Sequence, residues 1–231
     1  MLEPQASTAR GETVQTLDRG LHVLELLAKE SEGLLSQEVA SRLALHRTVA
    51  YRLLNTLLGH RLVQRMDDGR YRLGMGLISL ARSVQPQLQS VAVPELTRLA
   101  EELGATAHLT VADGSEAVVL TTIEPSRTHM HVVYRTGFRH PLDQAASGIA
   151  ILAGREAQSG ERSQVTRARQ KGYAVSRSEI QQGASGIAAP IHVAGRPVEA
   201  SIGIIVLGDI DEDTVFPHII AAAHAISLQL H

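Results

Sequence analysis

The 231-residue chain contains no cysteine and no tryptophan, and aromatic side chains make up only 3% of it. Without thiols there can be no disulfide, no thiolate zinc site and no cysteine-held iron–sulfur cluster. With so few rings, recognition of single-stranded nucleic acid by base stacking is not expected. No apolar run approaches the roughly 18 residues that a membrane span requires. The opening MLEPQASTARGE is polar and lacks a secretory core, so residues 1–13 read as a disordered tail. The expected setting is cytoplasmic, with no membrane partner. A G-x-S-x-G elbow and a G-x-x-x-x-G-K-[ST] phosphate cradle are both missing, and catalysis is not expected.

What the chain does have is unevenly placed positive charge. Overall, 22 basic and 24 acidic residues give a net charge of −2. Between Ala40 and Met75, however, seven arginines (Arg42, Arg47, Arg52, Arg61, Arg65, Arg70 and Arg72) stand against Asp67 and Asp68, a local charge of +5. A concentrated basic segment on a mildly acidic molecule attracts phosphates in a salt-dependent way without making the whole surface adhesive.

The same segment carries a helical pattern. Ser36 to Leu43 reads as a helix with Ser36 as N-cap, Glu38 in the acid-favouring first turn, and Val39, Ala40 and Leu43 facing inward. After the short turn Ala44-Leu45-His46, a second helix starts at Arg47. Advancing 100° per residue places Arg47, Thr48, Tyr51, Arg52 and Asn55 within roughly 140° of arc. Val49, Ala50, Leu53, Leu54 and Leu57 fall on the opposite side. Taken alone this could be an ordinary amphipathic surface helix. Next come Val63 to Met66 and Arg70 to Leu73, two strand-like runs around the turn Asp68-Gly69. Helix, helix and basic hairpin in that order make a winged helix-turn-helix. Double-stranded DNA is therefore the expected partner. His46, Arg47, Thr48, Tyr51, Arg52 and Asn55 would face the groove, and Ser36, Gln37, Arg65 and Arg70 would sit on the backbone.

Upstream, apolar residues at 14, 17, 21, 24 and 27 predict a helix from Val14 to Lys29 that completes the small core. Gly74 to Val93 predicts a linker helix that ends or kinks near Pro86. Pro94 sits at the first turn of a helix ending at Leu103, with Leu96, Leu99, Ala100 and Leu103 inward and Gly104 as its stop. Beyond it lie short β-rich runs at Ala107–Ala112, Ala117–Ile123 and Met130–Arg135. A small-residue helix at Asp143–Leu152 and an arginine-rich one at Glu161–Lys171 follow. A hairpin is expected from Ser185–Val193 and Glu199–Leu207, and a last helix at Asp211–Leu230 with Val215, Ile219, Ala222, Ile226 and Leu230 inward. The division is 14–74 for the DNA-binding domain, 75–93 for the linker helix and 94–231 for an antiparallel-sheet domain flanked by helices. The class is α+β.

The run TLDRGLHVLELLA, then LSQEVASRLALHRTVAYRLLNTLLGHRLVQR, then GRYRLG resembles the IclR family of bacterial transcription regulators. In the second half, Tyr134-Arg135-Thr136-Gly137, Pro141-Leu142, an Ala/Ser/Gly-rich helix, Gly172-Tyr173-Ala174-Val175 and Gly186 to Ile191 follow in the family's order. The resemblance covers about Val14 to Leu230. It implies a GAF-like effector-binding domain and self-association as a dimer or tetramer. It also implies an effector pocket at Leu142, Ala146, Ser147, Gly148, Ser176, Gly186, Ile187, Gly203 and Ile205. The chain departs from the pattern after Pro141-Leu142, where Asp143 replaces a histidine and Ser147-Gly148-Ile149-Ala150 lacks a lysine. Gly186, Gly203 and Ile205 stand where polar groups often grip a carboxylate. Too few converging donors remain for a small anion, so the expected effector is larger and apolar or aromatic. Arg135 and Arg139 at the pocket mouth weigh the other way. An alternative is an effector-blind protein whose second domain is structural.

Eleven histidines raise the question of a metal. His129 and His131 share a strand face and His140 could approach from the next loop, but no carboxylate is placed with them. They read as surface or loop histidines, with no metal or cofactor expected. Arg162, Arg167, Arg169 and Lys171 read as a solvated helix face.

Overall fold

Gly20, Val23 and Leu27 form the buried side of the first helix, α1 (Gln15–Ala28). This is a different stripe from the expected one. Val14, Leu17 and Leu21 are 70%, 63% and 50% exposed. Gly20 lies beside Leu53, whose Cδ2 would be in ordinary van der Waals contact, 3.9 Å, with a β-carbon there. The computed structural model describes residues 13–126 and 134–230, and these divide into one unit ending at Val84 and another starting at Gln85.

In the first unit α1 packs with α2 (Ser36–Arg42) and α3 (Arg47–Gly59). Strands β1 (Val63–Arg65) and β2 (Tyr71–Leu73) pair antiparallel with Val63 opposite Leu73, and Gly69 takes φ 82° in the turn. Leu34 extends the hairpin by exchanging backbone hydrogen bonds with Tyr71 at 3.0 and 2.7 Å. The fully buried Val23, Val39, Ala50 and Leu54 form the centre of the core, each large side chain contributing on the order of 2 kcal/mol by leaving water. Ser36 is not the cap of α2. Leu35 holds that place and donates its N–H to Glu38 Oε2 at 2.7 Å, so the acid three residues on secures the turn.

The linker stretch, expected to end or kink near Pro86, is two helices divided at Ser83–Gln85. The first, α4 (Gly76–Arg82), buries none of its residues. Its start is tied to the end of α3: Gly74 N–H donates to Leu62 O at 2.8 Å and Gly76 N–H to Arg61 O at 2.9 Å. A β-carbon on Gly74 would meet Arg61 O at 2.3 Å, so only glycine fits. The chain then breaks at Ser83–Gln85, with Gln85 at φ 48°. Helix α5 (Pro86–Leu103) starts with Pro86 at its first turn, where no N–H is needed. Pro94 thus lies inside α5 rather than at its start. It is on the exposed side, where the carbonyl it leaves unbonded meets water. The buried stripe Leu96, Leu99 and Ala100 is as expected.

The second unit is a six-stranded antiparallel sheet in the order β5-β4-β3-β8-β7-β6. Its strands are β3 (Thr106–Asp113), β4 (Glu116–Ile123), β5 (Arg139–Pro141), β6 (Ala174–Arg177), β7 (Ala184–Ile191) and β8 (Ala200–Leu207). Alternation sends Ala107, Leu109, Ile187, Ile202 and Ile204 to one face, against α5 and α8 (Glu212–Gln229). Ala188 turns to the other, against α6 (Ala145–Gly154) and α7 (Ser163–Lys171). The strand expected at Met130–Arg135 lies mostly outside the described residues; Tyr134 and Arg135 are not in a strand, and β5 comes later.

Candidate nucleic-acid interface and interior cavity

In α3, Arg47, Thr48, Tyr51, Arg52 and Asn55 are all exposed, while Ala50, Leu53, Leu54 and Leu57 are buried. His46 is the N-cap. Its Nδ1 accepts the Thr48 N–H at 3.4 Å and lies 2.5 Å from the Thr48 hydroxyl. That capping role gives His46 a structural task the sequence reading did not assign. A shallow concavity joins this face to the wing, lined by Ser36, Gln37, Arg47, Thr48, Tyr51 and Arg65. Arg65 also sits over the Tyr71 ring, 5.9 Å from its centroid.

The arginines divide into tied and free. Arg70 is drawn inward, donating to Gly33 O at 3.0 Å and to Glu38 Oε2 at 3.1 Å, so it braces the wing against α2 rather than standing free. Arg72 pairs with Glu32 and Arg42 with Glu30. Among the described residues Arg47, Arg52, Arg61 and Arg65 have no acidic partner. Three of these four, Arg47, Arg52 and Arg65, stand on α3 and the wing. The bracing by Arg70 was hidden in the sequence because Glu38 and Gly33 lie more than thirty residues away.

In the second unit, five of the nine expected pocket residues (Ala146, Ser147, Ser176, Gly186 and Ile205) line a small cavity of about 20 Å3, room for a single water. The other four do not. Leu142 packs with Ala117, Ile151 and Val198. Gly148 is pressed against Leu142 O, 2.3 Å from where its β-carbon would be. Ile187 points to the opposite face of the sheet. Gly203 gives room to β7, with Ile187 O at 2.3 Å from its would-be β-carbon. His108, Tyr134, Glu179, Ile180 and Gln181 join the lining instead. His108 could have been suspected, as a polar residue alternating with Ala107 and Leu109. Glu179 sits in a loop that no periodicity marks.

The cavity is polar and uncharged on the sheet side. His108 is 2% exposed. Burial, and then neighbouring His140, push its pKa down to about 4. Its ring meets Tyr134 edge-on at 5.9 Å, and Tyr134 stacks on Phe138 at 5.1 Å. Burial raises the Tyr134 phenol. His140, lowered mainly by burial, donates from Nδ1 to Pro141 O at 2.9 Å and accepts the Ser147 hydroxyl on Nε2 at 3.1 Å. His140 is therefore a satisfied interior group, while His129 and His131 lie outside the described residues. Among the described residues no cluster of metal-binding side chains forms and no helix is long and apolar enough to cross a membrane.

Two arginines of the second unit are tied as well. Arg139 bonds Glu116 and Asp113 at the sheet edge. Arg169 is not part of a solvated face. It donates to the carbonyls of Leu152, Ala153 and Arg155, capping the end of α6, and pairs with Glu161.

The family model for an IclR helix-turn-helix domain matches residues 16–67. That for the C-terminal part of the bacterial transcriptional regulator IclR matches residues 83–166 and 162–228. The HTH-type transcriptional regulator XynR of Escherichia coli is 28% identical over 206 residues, covering 77% of this chain and 80% of that protein. A glycerol operon regulatory protein of Streptomyces griseus is 27% identical over 83% of this chain and 84% of its own. Among solved structures, an IclR homologue from Microbacterium hydrocarbonoxydans complexed with 4-hydroxybenzoate superposes with a TM-score of 0.79. It is 25% identical and covers 93% of this chain and 98% of that one.

Proposed function

Because the chain belongs to the IclR family of transcriptional regulators, we propose that α3 and the wing read a pseudo-palindromic operator and that a small organic effector in the second unit modulates the affinity. The observation that carries this is the continuous exposed face of Arg47, Thr48, Tyr51, Arg52 and Asn55 beside the unpaired Arg65. Guanidinium, hydroxyl and amide groups on one helix face suit base edges and adjacent phosphates of duplex DNA. Ser36 and Gln37 at the start of α2 suit backbone contacts. The exposed apolar stripe Val14, Leu17 and Leu21 on α1 supports self-association, which would present two copies of α3 to two half-sites.

Tyr134, Ile180 and Ile205 among the cavity walls favour an effector with an apolar or aromatic body. Coupling of roughly 1–3 kcal/mol would change operator affinity about 5–150-fold. Gel shifts with DNA that co-purifies with the protein test the interface. Arg52→Ala is expected to weaken specific binding at least tenfold and Arg167→Ala to leave it unchanged; equal affinities would refute the assignment. The small size of the cavity favours a second reading, an effector-blind protein whose second unit only sets half-site spacing. Hydrogen exchange that slows near Ser147 and Gly186 on adding effector separates the two.

A further inference from the structure

The cavity is stoppered by its own chain. Glu179, in the turn between β6 and β7, accepts the Ala145 N–H on Oε2 at 2.8 Å and the Gln164 side-chain N–H on Oε1 at 3.0 Å. Ser176 Oγ accepts the Ala146 N–H at 2.9 Å. The first two amides of α6, where the helix dipole is positive, are thus aimed into the cavity and held by a carboxylate and a hydroxyl from one hairpin. Independently, His108 lines the same cavity, almost wholly buried, and its Nδ1 has no hydrogen-bond partner. Thr110, two residues on along the same face of β3, also has a buried hydroxyl without one. Of the two only His108 lines the cavity, and its buried nitrogen calls for a partner there, water or ligand.

Glu179 and Ser176 also line an open cleft of about 300 Å3 that carries Arg167, Lys171 and Arg177. Glu179 therefore forms the wall between the cavity and a surface where Lys171 and Arg177 pair with Glu212 and Arg167 has no acidic partner among the described residues. Arg162 Nη2, 3.8 Å from Glu179 Oε1, already leans toward it.

We propose that Glu179 is a resident substitute for an anionic ligand: its carboxylate occupies the amide end of α6 in the ligand-free chain, and a small organic monocarboxylate enters from the cleft by displacing it. This rests on the cavity being the effector site. It supplies the anion-binding donors that the side chains lack, because they are backbone amides. The wild-type affinity is lowered by the fraction of time Glu179 holds the site, a tax that removing the side chain lifts.

The test is calorimetric titration of the full chain with butyrate and with its uncharged isostere butyramide. Glu179→Ala is expected to bind butyrate at least tenfold more tightly than wild type, with Glu179→Gln in between and butyramide changed less than threefold. In wild type the Ala145 amide resonance should move as butyrate binds. Equal butyrate affinities in wild type and both variants, or butyrate bound by Glu179→Ala but not by wild type, would overturn the proposal, the latter by making Glu179 a permanent cap. No binding to any of them would overturn it too. Glu179→Gln keeps the side-chain size should the alanine variant fold poorly. Adding Gly186→Leu, which fills the cavity beside Ser176 and Ala146, should abolish binding. Undiminished binding there would instead place butyrate elsewhere and remove the effector reading of the cavity itself.

Discussion

His108 binds a proton in the unfolded chain near its ordinary value and in the folded chain only near pH 4. Between those values the unfolded state holds more protons, so stability falls as pH drops from about 6.5 toward 4 and levels off below. The full effect is about 3 kcal/mol at the acid end, and His140, lowered for the same chief reason, acts in the same direction. We expect the thermal midpoint of the second unit to fall between pH 7 and pH 5, and to fall less in His108→Gln. An identical fall in that variant would show that the imidazole is not responsible. Arg70→Ala makes a second test at this scale. Because Arg70 bonds Gly33 and Glu38, its loss should destabilise the first unit by about 1 kcal/mol, measured by denaturant melting without any DNA.

The elements were largely legible because periodicity reports burial directly. The α3 face, the Asp68-Gly69 turn and the β7–β8 pairing all follow from local pattern and turn chemistry. Where the pattern admitted two solutions, packing decided. In α1 the leucine-rich stripe lost to one of Gly20, Val23 and Leu27. Pro94 looked like a helix start, but it lies inside α5 on the exposed side, and Pro86 takes the start. The cavity was only half legible. Gly186 and Ile205, taken from the family resemblance, line the cavity, yet Glu179 reaches it from a turn with no period. Gly203 was read as a pocket position, whereas it makes room for its neighbouring strand. Gly203→Ala should therefore cost the second unit at least about 2 kcal/mol, visible as a lowered melting midpoint with or without any ligand.

At the scale of the whole molecule, a chain of net charge −2 has Arg47, Arg52 and Arg65 on α3 and the wing without acidic partners among the described residues. Operator affinity should fall steeply with salt, and Arg65→Ala should reduce the slope of log K against log salt by about 0.9 for each copy bound. An unchanged slope would mean that Arg65 meets no phosphate. Gly74 and Gly76 add a mechanical corollary. With their amides bonded to the end of α3 and no room for a side chain at Gly74, α4 is keyed to the reading head like a crank to its shaft. The helical path ends only at Ser83, and Gln85 takes φ 48° before α5 begins.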